Sequence, residues 1–389
     1  MTTLTGAGWF GAADCRLEDF RALVEQPTDL ADYPHAEAVE RNVLVYGPGL
    51  AERCGAPAER RALQDELSRA LSDGPGIVVF AGAFADLSIV DRATDSFTAM
   101  IEDQNARGVL GGDHFARPGA NDRIWGALDK FGLRAPELFA DYYGNDVIAL
   151  VSEAWLGPNY QVTSQVNVVN PGGRAQVAHR DYHLGFMSAA QSEAYPAAIH
   201  RLSPRLTLQG AVAHCDMPVE TGPTMYLPHS QKYGPGYLAF HRPEFTEYFD
   251  AHFVQLPLAK GDAAFFDPAL FHGAGTNHST GVRRMANLLQ VSSAFGRAME
   301  TVDRTALCEA LFETLARRRR EGAAERSLRN VVAASAEGYA FPTNLDRDQP
   351  VGGLVPQTQA ELVWQAVDEL WAPDAFRKAL HAQAERRHT

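Results

Sequence analysis

Cysteine is scarce in this chain of 389 residues: Cys15, Cys54, Cys215 and Cys308 lie far apart and form no Cys-x-x-Cys pair. That spacing argues against a cysteine-rich zinc site and a dense disulfide framework, and fits free thiols in a reducing cytosol. Positive charge is also in short supply. Thirty-five Lys and Arg stand against 48 Asp and Glu, a net charge of −13. Such a balance opposes a nucleic-acid-binding face and attraction to an anionic membrane. No run of about 18 apolar residues is present, so no membrane span is expected. Residues 1–20 lack both the basic start and the apolar run of a signal peptide. Internal repeats, low-complexity tracts and an obvious flexible linker are absent as well. The expectation is a cytoplasmic protein with ample apolar material, 46% of its residues, for a core.

The texture changes twice along the chain. Residues 1–158 read mostly as helix. Ala58–Ser72 is rich in helix formers and stops at Asp73-Gly74-Pro75-Gly76. Ile77–Phe80 then reads as a short buried strand, and Pro136–Trp155 as one amphipathic helix. Residues 159–296 carry short β-like runs between Gly, Pro, Asn and Asp clusters: Tyr160–Val169, Arg205–His214, Thr224–Leu227, Phe253–Leu256, Ala263–Phe266 and Met285–Ser292. Such spacing predicts an antiparallel sandwich or barrel. Residues 297–389 return to helix, with a long final segment, Gln357–Arg387. The whole, 1–389, is read as a single domain: a β core with a helical lead-in and a helical extension.

Two stretches carry the chemistry. In His179-Arg180-Asp181, residues two apart on an extended segment project to the same side, so an imidazole and a carboxylate converge while Arg180 points away. Alone, His-x-Asp is a common chance pattern. The second stretch is Phe265–Arg283, in which an apolar run delivers His272, a Gly-rich turn reverses the chain and Arg283 opens the next strand. Two histidines and one carboxylate form the facial triad of non-haem iron(II) oxygenases, leaving coordination positions open. A keto acid fills two of them, and its distal carboxylate needs a fixed guanidinium. Arg283 is expected to supply it, with 2-oxoglutarate as cosubstrate.

The segment His272–Arg283 resembles the distal motif of the phytanoyl-CoA dioxygenase family, and His179-Arg180-Asp181 its proximal motif. Glu220–Ser230 is similar to the family's Gly-Pro strand and its Pro-Gly-Ser-His turn, and Leu156–Tyr160 matches the entry to the core. One departure is His229-Ser230-Gln231 where the family has Gly-Ser-His. The resemblance covers roughly 75–300 and is strongest over 156–296. It implies an α+β protein with a double-stranded β-helix (jelly-roll, cupin-like) core and flanking helices. It further implies metal ligands His179, Asp181 and His272, and cosubstrate contacts at Arg283, Gln176 and Thr224, with Arg123 a further basic candidate from the lead-in. The implied activity is dioxygenase chemistry with Fe(II), 2-oxoglutarate and O2 on a small molecule, releasing succinate and CO2, with ascorbate helpful in vitro. A substrate from specialised metabolism is preferred because Gln176-x-x-His179-x-Asp181 resembles the natural-product branch. Asp181 argues for hydroxylation, desaturation or ring formation, because related halogenases carry a small residue there.

Other residues have plainer readings beside the functional ones. His183 either lines the pocket or is structural. Tyr182, Phe186 and Met187 fit core or pocket wall, while His214 and Cys215 fit ordinary buried positions. Arg317–Arg320 reads as the solvated face of a helix. Ala211 stands where some relatives carry an aromatic residue, which would enlarge the pocket. The terminal helices are expected either to form a homodimer interface or to cover the active site. Two rival functions remain: a cupin-like metalloenzyme that does not use 2-oxoglutarate, and a non-catalytic metal-binding scaffold.

Overall fold

The computed structural model describes residues 8–108 and 121–388. Among the described residues, ten strands form two sheets. They are β1 (Ala38–Glu40), β2 (Val43–Tyr46), β3 (Ile77–Phe80), β4 (Asn121–Ile124), β5 (Gln161–Val169), β6 (Thr207–Ala213), β7 (Met225–Leu227), β8 (Ala263–Phe266), β9 (Phe271–Gly273) and β10 (Arg284–Ser292). The major sheet runs β1-β2-β3-β8-β6-β10-β5-β4, and the minor one pairs β7 with β9. All pairs are antiparallel except β2 with β3. The major sheet, the minor sheet and the cavity between them form the double-stranded β-helix core.

The major sheet draws β1 to β4 from the segment expected to be a helical lead-in. β1 and β4 are too short and too mixed in polarity for a period-two pattern to stand out, and β2 is a four-residue apolar run with no alternation. Phe253–Leu256, expected as a strand, makes only an isolated bridge from Val254 to Tyr226. The expected helix over Pro136–Trp155 is two helices, Pro136–Tyr143 and Asp146–Leu156. Between them Gly144 packs against the Ala140 carbonyl and Ser327, and Asn145 caps the second helix by accepting from the amides of Val147 and Ile148. The final segment likewise divides into Gln359–Asp368 and Pro373–Arg387, the second helix opening on proline.

Helices cover the outer face of the major sheet. Along β10, Met285, Asn287 and Leu289 face them, and the Asn287 amide reaches the hydroxyls of Tyr142 and Tyr143, each at 3.3 Å. His214, at the end of β6, is locked into the same layer. Thr94 gives its hydroxyl hydrogen to the Val90 carbonyl, so His214 Nδ1 donates to Thr94 (2.8 Å) and Nε2 accepts from Tyr142 (2.9 Å).

The extension after β10 packs on this helical layer. Arg317, Arg318 and Arg319, expected as a solvated face, pair with Glu137, Asp141 and Asp368 on neighbouring helices. No helix of the described residues is long and apolar enough to cross a membrane.

Candidate metal centre and its cavity

His179 and His272 face each other across a backbone bridge. His179 N–H donates to the His272 carbonyl at 3.0 Å, and the reciprocal bond is 3.1 Å. Two residues on, Asp181 N–H donates to the Pro268 carbonyl at 2.9 Å. The pairing sets three side chains around one point. His179 Nε2 lies 3.9 Å from Asp181 Oδ1, and His272 Nε2 lies 3.5 Å from Oδ2. Their candidate ligand atoms all fall within 4.8 Å of one another, and no other such group exists among the described residues.

The imidazoles are poised as ligands. Each Nδ1 meets a backbone carbonyl two residues earlier, Val177 for His179 and Leu270 for His272, both at 2.8 Å. An Nδ1–H donated there leaves each Nε2 lone pair turned toward Asp181, the arrangement metal-bound histidines use. Burial lowers the His179 pKa, and the neighbouring His272 adds to that. Burial alone would raise the Asp181 carboxyl, but the charge of the two imidazoles when protonated, with the Gln209 bond, holds it at about 2. Gln209, on β6, gives Nε2 to Asp181 Oδ2 at 2.5 Å.

Arg180 points the opposite way, as its place between two inward residues requires. It is 2% exposed, donates to the carbonyls of Ser230 (2.5 Å) and Tyr233 (3.0 Å), and lies between the rings of Tyr237 and Phe271. A Cβ at Gly236 would overlap its guanidinium, so glycine is needed for this close approach. The departure at His229 is accommodated locally. His229 takes the left-handed conformation, φ +69°, that a glycine adopts freely, and is held by Thr28 and the Gly74 carbonyl.

The triad opens into a cavity of about 360 Å³ between the sheets. The space exists because Ala211, Ala213, Ala264 and Ala286 present only methyl groups along the major sheet. Ala211 thus sits where the sequence placed it, on the wall. The described lining ends at Met299, so the terminal helices do not close the cavity.

Arg283 does not enter this cavity, contrary to expectation. Its side chain is 54% exposed and binds Asp122 Oδ2 (2.9 Å) and Asn170 Oδ1 (3.1 Å) on the surface. Arg284, one residue on, points inward with Ala286 and Leu288 and lines the cavity. Its residue is 7% exposed, it forms no ion pair with the described residues, and its Nη1 has no partner. Burial pushes its pKa down to about 10. Thr224 and Tyr226 line the same cavity. Burial pushes the Tyr226 phenol up to about 12, against the pull of the Thr224 hydroxyl and the Arg284 charge.

Gln176 also lines the cavity, with its Oε1 bound to the Ala274 amide at 3.0 Å. Arg123 reaches the wall from β4, stacked on Trp125 and bonded to Gln165. His183 is absent from the lining and faces Ser203, which is the structural reading. Phe186, 61% exposed, stands at the rim. Gln209 and Arg284 carried no separate signal in the sequence beyond their neighbours.

The family model of phytanoyl-CoA dioxygenase (PhyH) matches residues 50–285. The chain belongs to this family. The match spans the triad and both expected motifs, and stops short of most of β10 and the helical extension of this PhyH-family member. No curated protein matches its sequence. Among solved structures, SnoN, a non-heme alpha ketoglutarate dependent epimerase from nogalamycin biosynthesis, is 21% identical, with 61% of this chain and 85% of SnoN covered and a TM-score of 0.39. AviO1 from Streptomyces viridochromogenes Tue57 is 17% identical, covering 62% and 99%, with a TM-score of 0.43. The carbocyclase SnoK, also from nogalamycin biosynthesis, is 19% identical, covering 58% and 83%, with a TM-score of 0.39.

Proposed function

We propose that this PhyH-family chain is a mononuclear iron(II) oxygenase that uses 2-oxoglutarate to oxidise a small organic substrate. The observation that carries the reading is Arg284. A buried guanidinium without a counter-ion is costly, and it persists where an anion completes the site. A dicarboxylate reaching from the triad to Arg284 supplies that anion, and Thr224, which lines the same cavity, shares its distal oxygens. This reading moves the cosubstrate role from Arg283 to Arg284 and keeps Thr224 and Gln176 as wall residues near it.

The donor set also fits the metal. Two imidazoles and one carboxylate on one side of an open cavity suit ferrous iron with positions left for a chelating keto acid and oxygen. With these bound, the centre supplies the oxidant for an unactivated C–H bond, with succinate and CO2 as by-products. The chain's own part is positional. The two backbone carbonyls orient the imidazoles, Gln209 fixes one oxygen of Asp181, and Arg284 sets the direction of the cosubstrate. The apolar walls exclude water. Because Asp181 occupies the third ligand position, hydroxylation is the favoured outcome, with desaturation or cyclisation as variants of it.

The test is succinate formation from 2-oxoglutarate by protein reconstituted with Fe(II) and ascorbate under air, together with anaerobic 2-oxoglutarate binding. Absence of both in folded, iron-loaded protein would favour a cupin-like enzyme that does not use this cosubstrate.

A further inference from the structure

Gln209 has two ends, and the metal centre accounts for only one. The amide turns its NH2 toward Asp181 Oδ2, at 2.5 Å. The carbonyl, Oε1, therefore faces the other way. It is buried and has no hydrogen-bond partner among the described residues. A buried acceptor left unpaired is costly, and one placed beside a ligand cavity is a ready site for a donor. Gln209 lines that cavity.

The surroundings limit what the donor can belong to. Across the sheet Gln209 pairs with Gln290, whose Oε1 accepts from Gln165 at 3.3 Å. Asn167 adds a second buried, unpartnered amide oxygen on the wall. Trp125, Phe186, Leu288 and Met299 supply apolar surface. Arg123 is already engaged, giving Nη2 to Gln165 Oε1 at 2.5 Å and lying 4.4 Å over the Trp125 ring. Neutral amide acceptors set in apolar and aromatic walls suit an uncharged, largely apolar molecule that carries a hydroxyl.

We infer that Gln209 is a specificity-determining residue, whose buried carbonyl accepts a hydrogen bond from a hydroxyl of an uncharged, mainly apolar substrate and holds that molecule beside the Asp181 edge of the metal centre. The inference rests on the oxygenase reading of the cavity and deepens it. Its one internal competitor is Tyr182. That buried hydroxyl, on a backbone at φ +59°, lies within reach of the Gln209 amide, and a small rotation would bring it to the same acceptor.

Calorimetric titration tests this with two probes of similar size, 1-naphthol and 1-methoxynaphthalene, which share an oxygen but differ in the donor. Both metal-free protein and anaerobic protein loaded with Fe(II) and 2-oxoglutarate are used. Wild type is expected to bind 1-naphthol about fivefold or more tightly than the ether, the worth of one neutral hydrogen bond. Gln209→Met removes that preference, and Tyr182→Phe keeps it. Equal binding of the two probes by wild type, or no binding of either, overturns the inference, and neither result depends on the variants folding. A preference absent in wild type but present in Tyr182→Phe overturns it too, since Tyr182 then satisfies Gln209. Failure of 2-oxoglutarate to bind the loaded protein instead counts against the proposed function, and the metal-free titration still reads the donor preference.

Discussion

Arg283 and Arg284, adjacent in the chain, leave the backbone on opposite sides. One pairs with Asp122 at the surface at 2.9 Å, and the other is buried in the cavity without an ion pair among the described residues. Surface pairs of the first kind contribute about 0–1 kcal/mol. A charge-assisted bond from the second to a carboxylate contributes about 1.5–3 kcal/mol per contact. Arg284→Met should therefore weaken 2-oxoglutarate binding about 100-fold, roughly 2.7 kcal/mol. Arg283→Met should leave it within about twofold. Anaerobic titration of the ferrous protein with 2-oxoglutarate measures both, and equal losses would return the role to Arg283.

Removing a triad side chain should cost the metal itself. His272→Ala and Asp181→Ala are expected to lose more iron affinity than the roughly 10–100-fold typical of an outer partner. Iron content after gel filtration, beside an unchanged far-ultraviolet circular dichroism spectrum, separates ligand loss from unfolding.

His214 predicts acid sensitivity. Burial pushes its folded pKa down to about 3, below the ordinary value of 6.5, against the pull of Asp91. The unfolded state therefore takes up the proton first. The His214 contribution is full above about pH 6.5 and is lost progressively as pH falls from there toward 3. Urea midpoints between pH 7.5 and 4 should fall more steeply in wild type than in His214→Gln. Parallel slopes would contradict the assignment.

Arg180→Met should destabilise the fold although Arg180 touches no ligand atom. It removes two charge-assisted bonds, about 1.5–3 kcal/mol each, from the Ser230 and Tyr233 carbonyls, which keep the backbone amides of Tyr233 and Gly236 as donors, and the loss is offset in part by relief of a buried charge. A net loss of about 1–3 kcal/mol in urea unfolding is expected. Asp267, whose carboxyl burial pushes up to about 6 against the pull of Arg205 and Arg180, should titrate higher still in the variant.

The metal centre was legible because imidazole and carboxylate are rare inside apolar runs, and strand geometry dictates that residues two apart converge. The guanidinium was misplaced by one position for a physical reason. β10 is buried on both faces, so Met285, Asn287 and Leu289 read no differently from Ala286, Leu288 and Gln290, and nothing local gives the phase of the strand. Two consecutive arginines then carry the same signal. β1 and β4 escaped notice because Ala38–Glu40 and Asn121–Ile124 owe their extended shape to pairing with β2 and β5, not to their own propensity. Gln209 was invisible because its importance lies in facing Asp181 from a distant strand.

The reciprocal amide bonds between His179 and His272 have a consequence for how this chain can change. Both imidazoles hang from directly opposed residues, so their separation is set by main-chain pairing and tolerates turnover of the side chains around them. Among the ninety-odd residues between the two, the loops outside Asp181, β6, β7 and β8 can lengthen, shorten or be redecorated while the ends stay stitched. A one-residue slip at the stitch, by contrast, would turn one ring to the far side of its strand and disband the cluster.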